Sequence, residues 1–314
     1  GLETVDISEK TLSEQLVTCI HQSKRAGYAL EKWEFLKDYK YSVIFTCNDF
    51  SSTLKKAKEI IPLENTYEND YLYTSFVKPV AYSMDGYYFL KFNLAYAAIH
   101  PLTQEEFLTK YPFLVVFHEK GELIEFRFDV LKRVFLSDKK EPTIYSNLIA
   151  EMSDYFKEHF ACDLIPLNLD FMVNVCKRDE NVKLIAQSMK LPNGGNAQLD
   201  VGNNQEYILP FIGELRSLLN DNQAELEKVP DFREALEQFM FEMEEMSDYP
   251  WIELLWENEI KTRSNRVKFV FNYMNKSYCL IQYYYSNVLI GMERMNYVIE
   301  YIVNHRNDDT TQNE

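Results

Sequence analysis

FLVVFHEKGELIEFRF, residues 113–128, reads as two short apolar runs, Phe113–His118 and Leu123–Phe128, on either side of a Lys120-Gly121 turn. Runs of this kind separated by a tight, glycine-containing turn pair as an antiparallel hairpin. Upstream, Val77–Ser83 and Tyr87–Tyr96 flank Asp85-Gly86 in the same form. Two hairpins so close together predict an antiparallel sheet, and the segments around them read as helices that cover it.

Thr11 and Glu14 have capping-box spacing, and Leu12, Leu16, Cys19 and Ile20 recur at helical spacing until Gly27, which is expected to end the helix. Tyr41, Val43, Phe45 and Cys47 alternate as a strand, and Ser51 and Ser52 open a short basic helix stopped by Pro62. Thr103 and Glu106 repeat the capping-box spacing between the hairpins and predict another short helix. Residues 137–143, SDKKEPT, are charged, carry Pro142 and have no periodicity, so a domain boundary is expected there. Beyond it, Leu148, Met152, Tyr155, Phe156 and Phe160 mark a helix. Val182–Leu191 and Ala197–Val201 form a hairpin around Asn193-Gly194. Ile208, Ile212, Leu215 and Leu219 share a helical face, as do Phe232, Leu236, Phe239, Met243 and Met246 after Pro230. A last hairpin, Val267–Tyr273 with Ser277–Tyr285, leads into a helix carrying Val288, Met292, Met295, Ile299 and Ile302. The expected fold class is therefore α+β: two mixed units, residues 1–136 and 144–306, with antiparallel hairpins and sheets packed on helices, and a frayed tail at 307–314.

Composition narrows the function classes. The 314 residues carry 33 Lys+Arg against 49 Asp+Glu, a formal charge of −16, yet aromatics make up 15% of the chain, too many for an acidic disordered tail. The longest clean apolar run, Leu94–Ile99, is far shorter than the roughly 20 residues a membrane-crossing helix needs, so no membrane contact is expected. The N-terminal residues lack the order of a secretion signal, and Cys19, Cys47, Cys162, Cys176 and Cys279 are scattered among apolar neighbours as reduced core thiols. Both observations predict a cytoplasmic protein. Nine glycines offer neither GxGxxG nor GxxxxGK[ST], which excludes glycine-loop nucleotide enzymes of the usual kinds, and GxSxG is missing too.

Charge segregation is the most informative feature. Residues 221–260 hold thirteen acids against Lys228 and Arg233, so 13 − 2 leaves −11, whereas 261–276 carry Lys261, Arg263, Arg266, Lys268 and Lys276 without an acid. Beside these cations stand Phe269, Phe271, Tyr273, Tyr278, Tyr283, Tyr284 and Tyr285, rings of the type that stack on nucleic-acid bases. Alternate aromatics on a hairpin ordinarily face the core, the cations have acids close by, and the −16 total repels polyanions at long range. Nucleic acid is thus the secondary reading of hairpin 261–285. The acidic helices read either as solvated faces or as docking surfaces for a basic partner.

Catalytic spacings are weak. Asp248, Glu257, Glu259 and Lys261 resemble the carboxylate and lysine set of a metal-dependent nuclease, but that set belongs on a core strand and Trp251–Ile260 reads as helical. None of His21, His100, His118, His159 and His305 has zinc-ligand spacing, and His118, near Glu119 and Glu122, reads as a solvated turn residue. Ser52-x-x-Lys55 and Ser137-x-x-Lys140 lack the further elements of serine–lysine enzymes. Trp251 and Trp256, five apart, point to opposite sides and leave room for an oligomer contact. The expectation is a non-enzymatic, cytoplasmic binding or regulatory protein with a protein partner, no cofactor and no metal. Its contact residues are Lys261, Arg263, Arg266, Lys268, Tyr273 and Tyr283. The alternatives are a nucleic-acid-binding component and an enzyme, such as a metal-dependent nuclease or hydrolase, whose site is assembled from distant residues.

Overall fold

The computed structural model describes residues 11–22, 24–60, 62–63, 78–84, 86–99, 104–132, 135, 143–179, 181–190, 196–200, 215, 218–245, 248–257, 264–284 and 291–306. In chain order its elements begin with α1 (Leu12–Gln22), α2 (Lys24–Leu36), β1 (Tyr41–Cys47), α3 (Phe50–Ala57), β2 (Val80–Met84), β3 (Tyr87–Ile99), β4 (Glu106–His118) and β5 (Leu123–Phe128). There follow α4 (Ile144–Phe160), β6 (Leu164–Pro166), α5 (Met172–Arg178), β7 (Lys183–Lys190), β8 (Asn196–Asp200), α6 (Gln223–Leu226) and α7 (Pro230–Glu245). The chain ends with β9 (Asp248–Trp256), β10 (Asn265–Val270), β11 (Leu280–Tyr284) and α8 (Glu293–His305). The fold is α+β, with antiparallel strand pairs throughout. It divides into two compact units, Gly1–Leu167 with Leu289–Val303, and Asn168–Val288 with Asn304–Glu314. The helix placed by composition after the 137–143 break, α4, therefore lies with the first unit. Thr143 apart, that break lies outside the described residues, as does the 307–314 tail. Among the described residues no helix is long and apolar enough to cross a membrane.

The first unit's strand order is β2-β3-β4-β5-β1, with β6 also paired to β1. Both predicted hairpins form: Tyr87 pairs with Met84 across the Gly86 turn, and His118 with Leu123 across the Lys120-Gly121 turn. Gly86 has φ +82°, a conformation that favours glycine, and a Cβ on Gly121 would stand 2.7 Å from Val303 Cγ2 of α8, so a side chain there would force Val303 to shift. Thr11 and Glu14 close the predicted capping box, and Asp49 rather than a serine caps α3, accepting from Ser52 N at 2.9 Å. Two expectations are overturned. Gly27 sits buried inside α2, where packing outweighs a propensity cost of about 1 kcal/mol. Residues 106–112 extend β4 instead of forming a helix, because Glu106–Pro112 pair with Asn93–Ile99 of an equally long β3.

Register sorts this sheet into two unlike faces. Phe92, Phe113, Phe117, Phe126 and Phe128 point one way and are sealed by α3 and α4: Phe156 of α4 lies 6.0 Å from Phe117 and 5.7 Å from Phe126, ring centre to ring centre. Lys91, His118, Glu125 and Arg127 point the other way, under α2 and α8.

In the second unit the order is β11-β10-β9-β7-β8, with α5 packed on β7 and β9. Leu219 and Met240 form a separate small core with Leu215, Leu226 and Leu236. Ile208 and Ile212 of that predicted face lie outside the described residues. Residues 251–256, read as helical from sequence, are strand: Ile252, Leu254 and Trp256 are buried on one face while Trp251, Glu253 and Leu255 take the other. Strand pairing decides here, since β7 and β10 satisfy the backbone on both sides.

Phe156→Ala is expected to destabilise the protein by about 3–5 kcal/mol, because it empties a fully buried aromatic site. Urea unfolding monitored by circular dichroism measures this; a loss below about 1 kcal/mol would show that α4 does not seal the sheet.

Candidate functional site

Cross-strand pairing builds the patch that holds the predicted contact residues. On β10, Asn265, Val267 and Phe269 face the core, leaving Arg266 and Lys268 on the half-exposed face. Arg266 stands opposite Leu255 of β9 and Tyr284 of β11, and Lys268 opposite Glu253 and Gln282. Neighbouring side chains then meet: across the diagonal, Lys268 Nζ lies 3.6 Å from the Trp251 ring centre and Arg266 pairs with Glu253, while the Arg266 guanidinium lies 5.0 Å from the ring centre of Tyr284 directly opposite. Burial lowers the Lys268 pKa, with the Glu253 carboxylate pulling the other way. The face alternates rings with cations and carries one carboxylate at its centre.

Placement separates the predicted residues. Arg266 and Lys268 are brought together on this patch, and Lys261 and Arg263 lie outside the described residues. Tyr283 is a correction: it has 0% exposure, paired with Val267 on the core side, so strand parity removes it from any contact surface. Tyr273 sits off the strands, in the tight turn after β10, where Asn272, Met274 and Asn275 all have positive φ. It packs on Tyr278 at 6.4 Å between ring centres. Trp251, expected at an oligomer contact, and Tyr284, one of the rings of hairpin 261–285, stand on this same face. Of the nuclease-like set, Glu257 pairs with Lys183 at 2.8 Å, Asp248 starts β9, and Glu259 and Lys261 lie outside the described residues. Among the described residues no three His, Cys, Asp or Glu side chains gather as a metal site.

The first unit holds a second concentration of charge that sequence reading missed. Glu125 and Arg127, two apart on β5, share a face and are both at 0% exposure. Arg127 donates through Nε to Glu125 Oε2 at 2.8 Å, with Nη2 2.6 Å from the same oxygen in an ion pair, and Nη2 donates to Asn296 Oδ1 of α8 at 2.7 Å. His118, expected at a solvated turn, is buried with Nε2 2.9 Å from Glu125 Oε2. Burial raises the Glu125 carboxyl, but Arg127 and His118 more than offset this and hold it below its ordinary value. Burial lowers the His118 imidazole despite Glu125. The carboxylate is thus ionised beside a neutral imidazole, and because it only accepts, His118 must carry its proton on Nε2. Nearer α2, Lys91 and Lys110 both pair with Glu31 and Glu34, each at 2.7 Å from Glu34 Oε2. Lys91 has no side-chain exposure and also lies 4.8 Å from the Phe35 ring centre.

No protein-family model matches the chain, and no curated protein matches it in sequence. The α+β fold and the two charge arrangements therefore define it by structure alone.

His118 and Glu125 have folded-state values below their ordinary 6.5 and 4.5, so the unfolded chain binds their protons first. The stability these two groups contribute is complete above about pH 6.5 and is lost as pH falls, first through the His118 window and then below about 4.5 for Glu125. Urea midpoints should fall from about pH 7.5 to about pH 5.5, and His118→Asn should flatten that slope; an unchanged slope would remove His118 as its source. Glu125→Ala, which strands Arg127, is expected to cost about 3–5 kcal/mol.

Proposed function

We propose that this chain is a non-enzymatic cytoplasmic binding protein that recognises a protein partner through the half-exposed face of β9, β10 and β11. The observation that carries this reading is the arrangement of Trp251, Lys268, Arg266 and Tyr284 around Glu253. Tryptophan, tyrosine and arginine are the side chains that concentrate binding energy in protein interfaces. Here each cation is already held flat against a ring or beside a carboxylate, which lowers the ordering cost on association. The same compensation disfavours a nucleic-acid backbone. A phosphate would have to compete with Glu253 for Arg266, and the −16 total opposes the approach of any polyanion. Cytoplasmic residence rests on five free cysteines, a usage typical of reducing compartments.

The test uses the full chain as bait in its own cell extract, beside Trp251→Ala and the charge reversal Arg266→Glu/Lys268→Glu. A directly binding protein, confirmed with purified components, should lose more than about tenfold in affinity with either variant while thermal midpoints shift little. Labelled single- and double-stranded DNA and RNA should show no binding at low salt. Salt-sensitive oligonucleotide binding abolished by the charge reversal would instead make the patch a nucleic-acid surface. Partner affinity unchanged in both variants would take the patch out of the interface.

A further inference from the structure

Cys47 closes β1, and Cys162 lies two residues before β6. In the β1–β6 pairing Cys47 stands opposite Leu164, which brings together two thiols 115 residues apart (162 − 47 = 115). Thr53 of α3 sits with them. Its hydroxyl donates to Asp49 O at 2.8 Å, leaving its oxygen to accept from Cys47 Sγ at 4.0 Å. The Cys162 thiol lies close enough to the Thr53 hydroxyl and the Cys47 thiol for both to act on it electrostatically. Neither sulfur is in a disulfide; Cys162 is buried and Cys47 is half-buried.

We propose that Cys47 and Cys162 form a modification site, a reversible disulfide made when a peroxide reaches Cys47. The Cys47 thiolate attacks one peroxide oxygen, the O–O bond breaks, and Cys47 becomes a sulfenic acid as the first water leaves. Cys162 sulfur then attacks Cys47 sulfur; the S–S bond forms, the S–O bond breaks, and the hydroxide departs with the Cys162 proton as a second water. Two thiols lose two electrons and the peroxide gains them. Exposure assigns the order, because Cys47 is the less buried residue of the two. Burial pushes the Cys162 thiol up to about 12, so little thiolate forms there and Cys47 reacts with the peroxide first; Cys162 gives up its proton only as its sulfur attacks the sulfenic acid. The bond fastens the chain leaving α4 to β1 and closes a long loop, so the oxidised form should unfold at higher urea.

The folded full-length chain is treated with hydrogen peroxide, quenched, denatured and alkylated with N-ethylmaleimide, then weighed intact and mapped as peptides. Five alkylations in the untreated protein should fall to three (5 − 2 = 3). The map should show a Cys47–Cys162 cross-link, and dithiothreitol should restore all five. Cys47→Ser should abolish the cross-link without rerouting Cys162 to another cysteine. Five alkylations after peroxide, oxidation to sulfinic acid without a cross-link, or a bond to any other cysteine would overturn the proposal. The peptide map is read on the unaltered chain, so the result stands even if Cys47→Ser fails to fold.

Discussion

A carboxylate removed from water stays ionised only where protein atoms replace its hydration, and Glu125 imposes that condition on the first unit. Arg127 supplies the neutralising charge from the same strand, His118 comes from the neighbouring strand, and Asn296 on α8, from the far end of the sequence, accepts in turn from Arg127. Were β5 to slip by one residue, Glu125 and Arg127 would enter the aromatic face among Phe113, Phe117 and Phe156. Ionic pairing therefore opposes misregister alongside apolar packing. It also gives α8 a reason to dock on this unit although the residues before it belong to the other.

The ion pairs of α2 follow the same logic at a second place on the face. Lys91 is covered by Glu31, Glu34 and the Phe35 ring, so one helix supplies both the carboxylates and the apolar lid. Such pairs contribute modestly to net stability, since desolvation offsets most of the attraction, but removing one partner leaves a costly orphan. The second unit treats charge differently. Its cations lie on rings at a half-exposed face, where solvent still screens them and a partner surface can replace that solvent.

Both hairpins of the first unit, the capping box at Thr11 and Glu14, and the later hairpins were legible because turn chemistry and alternation are local properties. Two segments misled for the same local reason. Glu106 begins a strand although Thr103 and Glu106 have capping spacing, and 251–256 are strand although acids and leucines there also fit a helix. In each case strands distant in sequence supply the deciding hydrogen bonds. At the candidate site, the clustering of cations and rings after residue 260 was legible. Which rings are open was not: Tyr283 and Tyr284 are adjacent, and only the buried side of the sheet tells which of them faces inward.

The sequence by itself determined the α+β class, the antiparallel hairpins and the segregation of acidic from basic segments, because each arises from neighbours within a few residues. Tertiary structure alone decided that His118, Glu125 and Arg127 are buried. A strand that alternates Phe with Glu and Arg ordinarily turns its charges to water, and here α2 and α8 cover that side. It also decided that Cys47 pairs with the start of β6, two residues after Cys162. Contacts between residues more than a hundred positions apart depend on which surfaces pack, and no local spacing records that.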